Sequence, residues 1–220
     1  MSNLTSSKQK ILTCAVDLFA VNGYSETSVR DIATAAMIKP TSLYNHFSSK
    51  EEILICMMDD YANFTASMFN NPELSSTIEK SPTADGILSC ITQSFVILED
   101  KYYSNVIRVI FHEQFRNNIV RDFVAKITRN IEQFVENVFS ELKKLNIISN
   151  DADPDYWKKT ASSLFYSHIA RTMLNIEQNR SDYDNMDLAG LLRYMFNTMF
   201  KLYGVRDNQA APDQAMRGDI

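Results

Sequence analysis

The chain has 220 residues, 45% of them hydrophobic and 22% charged, with five Gly and five Pro; that composition excludes wholesale disorder and argues against a turn-rich sandwich or barrel. No apolar run approaches the roughly 18 residues of a membrane span, and MSNLTSSKQK lacks the apolar stretch of a secretory signal. The net charge of −5 is unevenly spread, with Lys8, Lys10, Arg30, Lys39 and Lys50 against Asp17, Glu26 and Asp31 giving +2 over residues 1–50 and leaving −7 on the rest, an asymmetry that fits a small anion-binding head on an acidic body.

The first helix is expected over 6–22, where Ile11, Ala15, Leu18, Phe19 and Asn22 keep helical spacing, and Gly23 stands where a left-handed residue ends it. Ser28, answered by Asp31, caps a second short helix whose apolar positions are Val29, Ile32, Ala33 and Ala36. After a break at Met37-Ile38, Pro40 suits the first turn of a third helix to about Phe47. Ser49-Lys50-Glu51-Glu52 has the S-x-x-E spacing of a capping box and opens a fourth helix through about Phe69. Asn70-Asn71-Pro72 stops it, and the Ser/Pro-rich stretch to about Pro82 reads as a loop. Helical patterns follow at about 84–99, 103–116, 118–146, 154–178 and 187–203, with Asp153-Pro154 capping one and Gly204 closing the last. The expected fold is all-α with about nine helices. The tail from Arg206 has no apolar period and reads as mobile. Cys14, Cys56 and Cys90 are scattered and form no CxxC pair, which suggests reduced, buried thiols in a cytoplasmic protein.

Two short helices joined by a tight break have the shape of a helix-turn-helix. In Lys39-Pro40-Thr41-Ser42-Leu43-Tyr44-Asn45-His46-Phe47, Leu43 and Phe47 lie one turn apart and can bury with Ile38. Lys39, Thr41, Ser42, Tyr44, Asn45 and His46 are left outward; all are polar or cationic and none is acidic. Such a face suits phosphate oxygens and base edges in a major groove, though a solvated helix surface has the same appearance.

The wider pattern decides between these. Gly23, Thr27-Ser28-Val29-Arg30-Asp31-Ile32-Ala33, Ala36 and Ile38, then Leu43-Tyr44-Asn45-His46-Phe47, Lys50 and Ile53-Leu54, closely resembles the DNA-binding domain of the TetR family of bacterial transcriptional repressors. The resemblance covers roughly residues 8–58; beyond it the chain is similar in size, in helix count and in the stretch Glu113-Gln114-Phe115-Arg116-Asn117. It implies a helix-turn-helix head (1–49), an effector-binding and dimerisation body (50–205) entered through helix 50–69, and a palindromic double-stranded DNA operator read by a homodimer. It assigns Thr27, Ser28 and Arg30 to DNA contact, Tyr44 and His46 to phosphates, and Lys50 as a further cation, with Lys39, Thr41, Ser42 and Asn45 as base readers. Arg30 can fork onto a guanine, hold a phosphate, or pair with Glu26 or Asp31 instead. Two positions depart from the family pattern: Met37 occupies a turn where glycine is common, and Lys39 stands where a Ser or Thr cap is usual.

In the body, His46, His112 and His168 lie far apart, and no metal, phosphate-loop or nucleophile motif is present, so neither catalysis nor a cofactor is expected. Aromatic and polar residues on the helical segments suggest an apolar effector pocket drawn from Phe95, Tyr103, Phe111, His112, Phe115, Phe165, His168 and Met173. The last two helices carry Phe165, Ile169, Leu188, Leu192, Met195, Phe196 and Met199, which are expected at a two-fold interface unless they face the protomer's own core. The alternative to a ligand-controlled regulator is a helical binding module without sequence-specific DNA recognition.

Overall fold

The computed structural model describes residues 6–69, 72–90, 100–178 and 188–205. It is all-α, with ten helices among those residues. Phe95 and the expected tail at 206–220 lie outside them.

The head is built from α1 (Ser6–Asn22), α2 (Val29–Ala35), α3 (Pro40–Tyr44) and the start of α4 (Lys50–Phe69). Gly23 ends α1 at φ +88°, its N–H donating to Phe19 O at 3.0 Å. The α2 box is closed in both directions: Ser28 Oγ accepts from Asp31 N–H, and the Asp31 carboxylate accepts from Ser28 N–H at 2.8 Å. Met37 turns the chain at φ +59°, the conformation in which a side chain is strained and glycine is not. Lys39 caps α3 without a side-chain hydrogen bond. That helix is shorter than its sequence suggests, ending at Tyr44, while His46 and Phe47 N–H still bond to Leu43 O. The α4 box closes one residue early, with Ser49 Oγ accepting from Glu52 N–H and the Glu52 carboxylate reaching back to Ser48 N–H at 2.6 Å.

The body adds α5 (Leu74–Lys80), α6 (Ala84–Ser89), α7 (Lys101–Glu113), α8 (Asn118–Lys144), α9 (Asp155–Gln178) and α10 (Leu188–Tyr203). The Ser/Pro-rich stretch is therefore partly helical. Leu74 and Ile78, one turn apart, bury in the second hydrophobic cluster, and Ser75 Oγ donates to Glu141 on α8 at 2.8 Å. Tertiary burial here overrides the weak helix propensity of serine. Asn117 caps α8 through the N–H groups of Ile119 and Val120, so the expected helix to residue 116 stops short at Glu113. Asn146, at φ +55°, ends α8. An isolated antiparallel bridge from Ile148 to Gly204 ties the α8–α9 link to the end of α10. No helix among the described residues is long and apolar enough to cross a membrane.

Two hydrophobic clusters hold the chain together. One runs without a break from α1–α4 through Tyr103, Val106 and Ile110 of α7 to Val120 and Met173, so the head shares its core with the body. The other joins α5, α6, the far half of α8, α9 and α10. The three thiols are free; Cys90 is buried, whereas Cys14 and Cys56 are only half-buried.

Candidate DNA-reading face and body cavity

Leu43 and Phe47 are fully buried and Ile38 packs against the same cluster, which forces the rest of α3 outward. Lys39, Thr41, Tyr44 and Asn45 are exposed, while Ser42 and His46 are half-buried at its edge. Arg30 is exposed on α2 and makes no ion pair among the described residues, because Ser28 rather than arginine takes the Asp31 carboxylate. These side chains, with no acid on α3, form one polar and cationic edge.

Three expected members of that edge have other work. Thr27 is 1% exposed and its hydroxyl donates inward to Gly23 O at 2.8 Å, so its side chain presents nothing to a partner. Ser28 is exposed, but its hydroxyl donates to Asp31 and accepts from Asp31 N–H. Lys50 folds back over the α1–α2 loop: Nζ donates to Tyr24 O at 2.7 Å and Thr27 O at 2.9 Å, and lies 4.4 Å from the Tyr24 ring centroid. The ammonium clasps the head, because the 23–27 loop leaves its carbonyls pointing at the start of α4. On its other side the loop meets the body, with Tyr24 N–H donating to the buried Glu113 carboxylate at 3.4 Å.

The body contains a cavity of about 540 Å³ counted out to its mouth, between α4, α7, α8 and α9. Tyr61 of α4 forms one wall; Ile107, Ile110 and Phe111 of α7, followed by Gln114, form another. Phe123, Val124, Ile127, Thr128 and Ile131 of α8 face them, and Phe165, Tyr166 and Ile169 of α9 close the ring. Among the lining residues Gln114 Nε2 donates to Phe111 O at 2.9 Å and lies 3.5 Å from the Tyr166 hydroxyl, and Thr128 donates to Val124 O.

Of the expected pocket residues, Phe111 and Phe165 are brought together here. Tyr103 is instead a core residue, its ring 4.5 Å from that of Phe64, and burial pushes its phenol up to about 12. Met173 is buried in the first cluster and does not line the cavity. Phe115 is 70% exposed, His112 is exposed and His168 is half-buried outside the lining. Phe115 fails because α7 ends at Glu113 before it and the ring turns outward, whereas His112 and His168 lie within α7 and α9 on faces that the cavity does not reach. The aliphatic ladder Val124, Ile127, Ile131 was legible as a helical stripe, but nothing in it distinguishes a cavity wall from solid core.

The expected interface residues also change place. Leu188, Leu192, Met195, Phe196 and Met199 are all buried in the protomer's own second cluster, where α10 packs against α6 and α9. Phe165 and Ile169 are half-buried and face the cavity. What α10 leaves outside is Tyr194, 73% exposed, and Leu202, followed by Val205 beyond the helix.

Residues 11–56, the segment that forms the exposed α2–α3 edge, match the family model for bacterial regulatory proteins of the tetR family. The chain belongs to the TetR family. It is thus a transcriptional regulator of a family whose members are generally non-enzymatic DNA-binding proteins. It is 27% identical over 136 residues to IcaR, a negative transcriptional regulator of a biofilm operon in Staphylococcus aureus (strain Newman), covering 59% of this chain and 69% of IcaR. It is 46% identical over 63 residues to the transcriptional repressor KstR2 of Rhodococcus jostii (strain RHA1), a match to 27% of this chain and 31% of KstR2. In fold it is similar to Salmonella enterica GusR, with a TM-score of 0.64 at 21% identity over 91% of this chain and all of that one.

Proposed function

We propose that this regulator is a homodimeric repressor that binds a palindromic operator and is released when a small, largely apolar effector fills the body cavity. The observation that carries the reading is α4. Its first residue, Lys50, holds the loop that leads into α2, and Tyr61, about 16 Å along at 1.5 Å per residue, lines the cavity. A ligand that moves Tyr61 therefore tilts the element that sets the head. The Tyr24–Glu113 hydrogen bond supplies a second strap, one residue from Gln114 in the cavity wall. Arg30, Lys39, Thr41, Ser42, Tyr44, Asn45 and His46 are the proposed DNA contacts. Dimerisation is assigned to the outward faces of α9 and α10, where Tyr194 and Leu202 stand exposed and unburied by their own protomer.

The test begins with selection of bound duplexes from a random pool. The reading expects a palindromic site whose affinity falls steeply and linearly on a log–log plot against salt. A small-molecule screen for release of that duplex then supplies an effector, which is titrated into free protein and into the operator complex. Linkage requires operator to weaken effector binding by the factor with which effector weakens operator binding. Equal affinities in the two titrations refute control through the cavity.

A further inference from the structure

The cavity has an unusual division of polar groups. Of its thirteen lining residues, nine are Ile, Val or Phe, and none carries an ionic charge at neutral pH. Three of the four polar ones are already provided for. Thr128 donates to Val124 O at 3.0 Å, and the Gln114 amide donates to Phe111 O while facing Tyr166. Tyr166 is 43% exposed, so water reaches it.

Tyr61 is different. It is only 8% exposed, lies between the rings of Tyr103 and Phe123 at 6.4 and 6.3 Å, and has no hydrogen bond to its hydroxyl among the described residues. Burial alone pushes this phenol up to about 12, so it stays a neutral donor at any physiological pH. The Tyr61 hydroxyl has no protein acceptor among the described residues, and a ligand that offered only a donor there would leave the phenolic proton unmet. An ionic ligand would enter a site with no counter-charge, the arrangement that costs most in an apolar surrounding.

We propose that the cavity takes an uncharged, mainly apolar molecule carrying one hydrogen-bond acceptor, and that Tyr61 is the residue that reads the acceptor. This deepens the effector reading above and rests on it. Recognition then occurs on α4 itself: the group that selects the ligand belongs to the helix that leads to the head. Aromatic edges from Phe111, Phe123 and Phe165 suit a ring or flat chain in the remainder of the site.

Three probes of one shape test the assignment on DNA-free protein by calorimetry and thermal shift: hexanophenone, which has a carbonyl acceptor; hexylbenzene, which has none; and 4-hexylbenzoate, which is anionic. Hexanophenone is expected to bind about tenfold more tightly than hexylbenzene, and the benzoate at least about 100-fold more weakly than the ketone. Tyr61→Phe keeps the ring and removes the donor. It should lower hexanophenone affinity about tenfold and leave hexylbenzene unchanged, the latter showing that the site is intact. Benzoate binding as tight as the ketone, ketone affinity indifferent to Tyr61→Phe, or no binding by any of the three overturns the assignment. Because no operator is present, these outcomes are separate from the regulatory reading. A ketone that binds as expected but leaves operator affinity unchanged refutes regulation through the cavity and leaves the ligand class standing.

Discussion

Replacing Lys50 by methionine separates a clasp from a phosphate contact. In the structure the ammonium donates to Tyr24 O at 2.7 Å and Thr27 O at 2.9 Å and sits 4.4 Å from the Tyr24 ring centroid. Charge-assisted bonds contribute about 1.5 kcal/mol each at the lower end of their range, and the half-burial of Lys50 reduces that by roughly half. The ring adds about 0.5 kcal/mol, so Lys50→Met should cost roughly 2 kcal/mol of stability. In a chain of this size that is a fall of about 4–8 °C in Tm. Lys50→Arg is the companion variant. It keeps the charge that a phosphate needs, but its planar fork cannot converge on the same carbonyls, so it should lose much of the same stability. Chemical denaturation reads the stability, and operator affinity over a range of salt reads the ion contact. A clasp leaves the log–log slope unchanged in both variants, although affinity falls with the order of the head. If Lys50→Met keeps the parent's stability and lowers the slope by about 1, the residue is a phosphate contact and the clasp argument fails.

The other predictions follow from the same geometry. Arg30→Ala and Tyr44→Ala should weaken operator binding, by about 1–3 kcal/mol where a base contact is lost, without changing helicity by circular dichroism, because both side chains are exposed; parent-like affinity removes that residue from the face. Leu192→Glu should unfold the protein, since it buries an unpaired carboxylate in the second cluster, whereas Tyr194→Glu should leave a folded chain that sediments as a monomer; a folded, parent-like dimer with Leu192→Glu contradicts the packing described here. The Asp31 carboxylate is held below its ordinary range by hydrogen bonds from the Ser28 hydroxyl and N–H. As pH falls the unfolded carboxylate protonates first, so this stabilisation is complete at neutral pH and is lost through the acid range as pH passes the folded value. The difference in urea midpoint between parent and Asp31→Ala should therefore shrink from pH 7 to pH 3; a constant difference argues against the reciprocal cap.

The head was legible because its determinants are local. Gly23 at positive φ, the Ser28–Asp31 box, the break at Met37 and Pro40 in the first turn each act within a few residues, and spacing alone exposes them. The outward set on α3 follows in the same way, since burying Leu43 and Phe47 leaves its neighbours no other side. What tertiary structure alone decided is where long-range partners lie. Lys50 looks like a donor awaiting DNA until the fold brings the carbonyls of Tyr24 and Thr27 to it. Leu192, Phe196 and Met199 look like an interface until α6 and α9 are seen to cover them. Tyr61 and Ile127 are sixty-six residues apart and share a cavity wall only because α4 and α8 pack side by side. Helical periodicity reports which face of a helix is apolar; whether that face meets its own core, a second copy or an empty volume depends on elements far away in the chain.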